Sequence, residues 1–130
     1  MNAKDNSKQH AAAELLRRYN EESLPDFCEP LTDVNQAGTF GNRPIHLASR
    51  RGVVTDLAAL VEAGADVHAA GDLGSTPLHE AAEAGHVDAV RYLLKHGASS
   101  DARNELGKTA LDVAEADGRD DISDILRHVK

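Results

Sequence analysis

The chain has 130 residues, 41% hydrophobic and 28% charged, a length and balance that suit one globular domain rather than a disordered chain. Twenty-two acidic against fourteen basic side chains leave a net charge of −8, which repels phosphate backbones and anionic lipid and argues against direct nucleic-acid or membrane-surface binding. Aromatics are 3% with no tryptophan, so the core is aliphatic, and one cysteine makes neither an internal disulfide nor, alone, a zinc site.

The chain repeats itself. Gly41, Gly74 and Gly107 are spaced by 33 residues, and the same period links Pro44 with Pro77 and Ala110, and Ile45 with Leu78 and Leu111. Ala48, Ala81 and Ala114 follow it, as do Gly52, Gly85 and Gly118, then Leu60, Leu93 and Leu126. No gap is needed anywhere. A fixed period of this length marks an array of small stacked units.

In chain order, residues 1–9 are polar, lack the apolar stretch of a secretory signal, and are expected to be a disordered tail. Shifting back one period over 10–38 puts 10–18 on a first helix and 21–29 on a second, with Leu15, Leu16, Leu24 and Phe27 as the apolar face. Asp33-Val34-Asn35 then aligns with Asp66-Val67-His68. Both helix-ending glycines are missing and Pro25 interrupts the second helix, so 10–38 is read as a degenerate N-terminal capping repeat.

Residues 39–71 and 72–104 are two full units. In the second, Thr76 caps a helix with Pro77 in its first turn, which runs to Ala84 and stops at Gly85. A second helix spans 87–96 with Val90, Leu93 and Leu94 as a buried stripe, and stops at Gly97. The polar stretch from Gly97 to Gly107 predicts a hairpin-like projection. Residues 105–130 repeat the pair and end after it. There Ile122, Ile125, Leu126 and Val129 form one stripe, with Asp120 and Asp121 at the helix start and Arg127, His128 and Lys130 at its end. The charges suit the helix dipole, and the polar opposite face suits a C-terminal cap. So small a helix pair cannot cover its own apolar side, so the units must stack.

These residues resemble the ankyrin repeat. Gly74-Ser75-Thr76-Pro77-Leu78-His79-Glu80-Ala81-Ala82 matches its turn and first helix, and Gly85-His86 and Leu93-Leu94-Lys95-His96-Gly97-Ala98 match its later landmarks. Arg43-Pro44-Ile45-His46-Leu47-Ala48 repeats the pattern with Arg43 where Thr is usual, and Gly107-Lys108-Thr109-Ala110-Leu111 repeats it with Asp112 in place of the histidine. The resemblance covers 39–130. It implies an all-α repeat solenoid of helix-turn-helix units joined by β-hairpin-like loops. It also implies structural roles for His46, His79 and His86, the first two bonding backbone groups of the turn and the neighbouring unit.

Little else in the sequence carries chemistry. His10, His68, His96 and His128 lack a cysteine or second histidine at ligand spacing, so no metal is expected. Gly107-Lys108-Thr109 lacks the earlier glycine of a phosphate loop, Ala102 standing there. Gly38-Thr39-Phe40-Gly41 and Gly71-Asp72-Leu73-Gly74 are turns rather than basic nucleic-acid clamps. Asp120, Asp121 and Asp124 lack the glycine turn of a calcium loop. Cys28 aligns with Val61 and Leu94, which predicts a buried structural thiol. No nucleophile, base and orienting group can be assembled, so neither an enzyme nor a cofactor is expected.

The resemblance implies that a protein partner binds the groove of projecting loops and first helices. By position this selects Thr39, Phe40, Asn42, Arg50 and Arg51 in the first full unit. It selects Asp72, Leu73, Ser75, Glu83 and Ala84 in the next, and Glu105, Leu106, Lys108, Ala116 and Asp117 in the last. Phe40, Leu73 and Leu106 fall one residue before each turn glycine. They form either a contact stripe or the packing between hairpins. Arg50 and Arg51 at one end, with Glu83 and Asp117 toward the other, predict a charge gradient that would hold a partner in one register. The expectation is a monomeric, cytoplasmic, non-catalytic protein-binding module or scaffold, whose acidity steers a basic protein toward it, with no nucleic acid and no membrane. An inhibitor or immunity-type protein occluding a basic toxin is the alternative, and a cryptic enzyme ranks below both.

Overall fold

The computed structural model describes residues 3–129, the side chains of 3–6 excepted. Among the described residues seven α-helices follow one another: α1 (Ala3–Glu21), α2 (Pro44–Arg51), α3 (Val54–Glu62), α4 (Pro77–Ala84), α5 (Val87–Lys95), α6 (Ala110–Ala116) and α7 (Asp120–Arg127). A single turn of 3₁₀ helix spans Asp72–Gly74, and there is no strand among the described residues. Helices α2, α4 and α6 pack in succession as one layer, and α1, α3, α5 and α7 pack in succession as the other. Within each unit the inner helix packs on the outer one that follows it.

The core lies between the layers and is aliphatic. Ile45, Leu57, Leu60, Leu78, Val90 and Leu93 are fully buried. Alanines at 48, 81 and 114 are also at 0% exposure, and these small side chains let successive inner helices approach closely.

Local rules set the helix ends. Thr76 Oγ1 accepts from the His79 backbone N–H while His79 Nδ1 accepts from the Thr76 N–H, so two orphan donors of α4 are satisfied reciprocally. Thr109 and Asp112 do the same for α6. At α2 only half of this exists: the Arg43 N–H reaches His46 Nδ1 at 2.9 Å, but Arg43 has no side-chain acceptor to return the bond. Helix α2 ends on Gly52 in the left-handed region at φ 72°, where a Cβ would also lie 2.3 Å from the His86 ring of the next unit.

The amino-terminal region departs from expectation in three ways. Residues 3–9, read from sequence as a disordered tail, are the opening of α1, while residues 1 and 2 lie outside the described residues. Helix-forming residues extend the segment, and Ala12, Leu15, Leu16 and Tyr19 give it one buried face. Second, α1 packs on α3 and so belongs to the outer layer, not to the inner one that the back-shifted period assigns to 10–18. Third, 21–29 form no second helix: α1 ends at Glu21 and an irregular segment follows, as Pro25 requires. Asn20 pins that segment, its side chain bonding both the N–H and the C=O of Leu31 at 2.7 and 3.0 Å. At the other end Ile122 and Leu126 of α7 are buried, and Arg127 pairs with Glu115 at 2.8 Å; Lys130 lies outside the described residues.

Candidate functional site

Three turns recur on one side of the stack with the same bonding. Gly38, Gly71 and Asn104 each donate their N–H to the carbonyl four residues on, at 2.7, 2.8 and 2.9 Å. Gly41, Gly74 and Gly107 each donate back to the residue three before. The glycines sit at φ between 72° and 88°, which a tight turn of this kind requires. This geometry turns the preceding side chain outward. Phe40, Leu73 and Leu106 are 63%, 58% and 71% exposed, in a chain whose other described large apolar side chains are buried or partly so, Val53 apart. Leu73 itself is held at φ 56°, and its carbonyl accepts from the Glu105 N–H, tying one turn to the next.

Around this row the structure sorts the other candidates. Thr39, Asp72, Glu83, Glu105, Lys108 and Asp117 are exposed, and Ser75 is half-buried. Ser75 contributes its carbonyl, which accepts from Gly71 and from His46. Asn42 does not belong with them. It is 3% exposed, and its Oδ1 accepts from the Asp72 N–H at 2.9 Å, so it braces the next turn instead of facing solvent.

The arginines are exposed but engaged. Arg50 lies between Asp26 at 3.3 Å and Glu80 at 3.0 Å. Arg51 pairs with Glu22 at 2.7 Å and lies over the Tyr19 ring. The bond to Arg51 holds the Glu22 carboxyl below its ordinary range. The predicted gradient is therefore blunted at its positive end, since those charges are met within the chain. Sequence reasoning missed Glu80, Asp26 and Glu22. Their separation from the arginines, 24 to 30 residues, hides them from any local pattern. An open hollow of about 250 Å³ lies at the ends of α2 and α4, lined by Arg50, Glu80, Glu83 and Ala84.

The histidines clasp units together. His46 Nε2 donates to the carbonyls of Ala69 and Ser75 at 2.9 and 3.1 Å, while its Nδ1 accepts the Arg43 N–H. His79 Nε2 donates to the Lys108 carbonyl at 2.8 Å. Each ring is thus the neutral tautomer with both nitrogens occupied, and burial pushes His46 below its ordinary value. Neither is placed to act as a base or a ligand. Asp112 keeps the bonds within its own turn, which hold its carboxyl low, and reaches no further unit.

A family model described as ankyrin repeats in three copies matches residues 2–104 and, overlapping, 45–129. The chain belongs to the ankyrin repeat family. Members of this family generally serve as protein–protein interaction modules and are typically non-catalytic. No curated protein matches the chain. In this ankyrin protein no described group of three His, Cys, Asp or Glu is placed to hold a metal, and no described helix is long and apolar enough to cross a membrane.

Cys28 is a correction. It is exposed, not buried, and its Sγ lies 3.2 Å from Thr39 Oγ1 beside an open hollow of about 480 Å³ lined by Tyr19, Leu24 and Phe27 among others. The buried reading assumed a helix over 21–29. Without that helix the periodic alignment with Val61 and Leu94 carries no meaning.

Proposed function

We propose that this ankyrin protein is a non-catalytic binding module that holds a protein partner across its turn tips and inner-helix ends. The observation that carries this reading is the row of Phe40, Leu73 and Leu106, exposed at equivalent positions of three successive turns. Their exposure favours a contact stripe over hairpin packing, the other reading of that row. Burying such a side chain contributes roughly 1.5–3 kcal/mol, whereas an exposed ion pair contributes about 0–1 kcal/mol. The row therefore supplies affinity, and Thr39, Asp72, Ser75, Glu83, Glu105, Lys108 and Asp117 supply partner choice. Arg50 and Arg51 act through the carboxylates they already hold.

The test is co-purification from cells of the native host, repeated with Phe40→Ser and Leu73→Ser combined. A partner held by this face is lost from the variant while its helicity is unchanged. A partner retained at full strength by the folded variant contradicts the assignment.

A further inference from the structure

The protein-binding reading leaves open how a partner is held in one register. Resting on that reading, we infer that the hollow between the end of α1 and the irregular segment is a docking pocket. It takes one large apolar side chain of a partner that lies across the turn row.

The row does not set register by itself. Phe40, Leu73 and Leu106 recur once per unit, so a partner displaced by one unit, about 8–10 Å, still meets apolar side chains. Charge does not settle it either. Arg50 is met by Asp26 and Glu80, and Arg51 by Glu22. Arg119 donates to the Glu83 carbonyl at the end of α4, and Arg103 to the Gly107 carbonyl beside Leu106, so cations stand among the carboxylates along the face. Register needs a feature outside the period, and the amino-terminal region has one.

Because 21–29 form no helix, an irregular segment runs past the end of α1 and leaves a hollow of about 480 Å³ beside it. A second hollow of about 210 Å³ shares Phe27, Cys28 and Glu29 with the first and runs to Gly38 and Thr39. Thr39 adjoins Phe40, and its N–H donates to the Asp26 carbonyl at 2.9 Å, so the row and the hollow form one continuous surface. The non-glycine residues at positive φ among those described, Ser23 at 52° and Leu73 at 56°, lie one in each part of it. Strain of this kind collects at ligand clamps. The walls select the occupant. Leu24 and Phe27 pack against the core yet are only half-buried. The Tyr19 hydroxyl is engaged by Asp56, and the Asn20 amide is engaged at both its atoms by Leu31, which leaves an apolar side chain the better fit. Glu29 carries the only charge among the residues lining the two hollows, and it opposes an acidic side chain. The space admits a leucine, methionine or phenylalanine, and such a side chain seated in a pocket anchors an interface.

Cys28 is the chain's only cysteine, is exposed and lines both hollows, so its thiol reports their occupancy. Peptides from a phage-displayed random library are selected on the immobilised full chain, and the reaction of Cys28 with N-ethylmaleimide is followed as each enriched peptide is added. At saturating peptide the reaction should slow at least about tenfold. An alanine scan of the peptide should find one large apolar residue whose loss frees Cys28 to react. Capping the thiol beforehand with N-benzylmaleimide, which fills the hollow, should weaken the peptide at least about tenfold with helicity intact, whereas Cys28→Ser should not. Phe40→Ser combined with Leu73→Ser should abolish binding of the same peptide. Should that pair lose helicity, Leu106→Ser carries the same test, its parent side chain being 71% exposed.

Peptides that need the row but leave Cys28 reacting at its free rate overturn the pocket and leave the binding face standing. Peptides that shield Cys28 yet ignore the row make the hollow a separate site and overturn its role in register. A scan that finds a charged or small anchor overturns the apolar occupant. Slower reaction at higher protein concentration without peptide puts a second copy of the chain in the hollow and overturns the partner. Failure to enrich any peptide overturns the pocket, while co-purification still decides the binding face.

Discussion

Residues 39–129 and residues 3–38 solve one problem, covering apolar helix faces, in two different ways. In the first region each unit repeats a single set of local instructions, a tight turn, an inner helix, a left-handed glycine and an outer helix, with the inner-helix cap complete at α4 and α6 and half made at α2. Neighbouring units are then fastened by the same side chain at the same place, His46 to Ala69 and Ser75, His79 to Lys108. In the second region one long helix covers α3 from the outer layer, and an irregular segment follows it. Its fastenings are individual: Asp56 accepts from Tyr19 and from Arg18 at 3.2 and 3.0 Å, and Asn20 holds Leu31. Periodicity is thus one route to a covered face, and the end of an array can be closed without it.

The comparison can be broken most sharply at the clasp. His79→Ala leaves the buried Thr76 N–H without its partner and the Lys108 carbonyl with only its bond from Asn104, and should cost about 1–3 kcal/mol in urea unfolding. Asp112→Ala should cost less, because Asp112 fastens only its own turn. Equal costs would show that reaching the next unit adds nothing.

The next effect belongs to the amino-terminal region. Asp56 is 6% exposed and holds the buried Tyr19 hydroxyl, whose ionisation burial opposes by pushing its pKa up. Asp56→Ala should loosen α1 by about 1–2 kcal/mol. Hydrogen exchange should show faster exchange in α1 and unchanged protection in α4 to α7. Equal loosening of all helices would mean that the two regions are one cooperative unit.

A gain is expected at Arg43. Its Nε is buried without a partner, and it stands where Thr76 and Thr109 complete their caps. Arg43→Thr should stabilise by about 0.5–1 kcal/mol, read as a raised unfolding midpoint. An unchanged or lowered midpoint would mean that the arginine stem contributes more than the cap.

The smallest effect is one of pH. His46 titrates below its ordinary value in the fold because burial disfavours the cation, with Glu80 opposing and Arg43 reinforcing that shift. Its stabilising contribution is complete above the unfolded value of about 6.5 and is lost as pH falls toward the folded one. Between about pH 7.5 and pH 5.5 the unfolding midpoint should fall more for the parent than for His46→Gln. The same slope in both would remove His46 as the cause.

Most of the periodic region was legible in the sequence, because its instructions are local. Thr76, Pro77 and Gly85 define α4 as Pro77–Ala84 without any distant information. The amino-terminal helix was half legible. Leu15 and Leu16 announce a buried face, which Tyr19 joins in the fold, but whether it belongs to the inner or the outer layer depends on Asp56 and the surface of α3, which no periodic shift encodes. The candidate surface divides in the same way. The periodic placement of Phe40, Leu73 and Leu106 beside the turn glycines is readable from sequence while their exposure is not, and the engagement of Arg50 and Arg51 depends on where the irregular segment puts Asp26 and Glu22. Asn42 looked like its exposed neighbours in sequence, and only the approach of the next turn buries it.

The most direct measurement is hydrogen exchange of the chain with and without the partner recovered by co-purification. Binding should increase protection at 38–42, 71–75 and 104–108 and at the end of α4. Protection confined to α1 and the outer helices, with the three turns exchanging as before, would contradict the account.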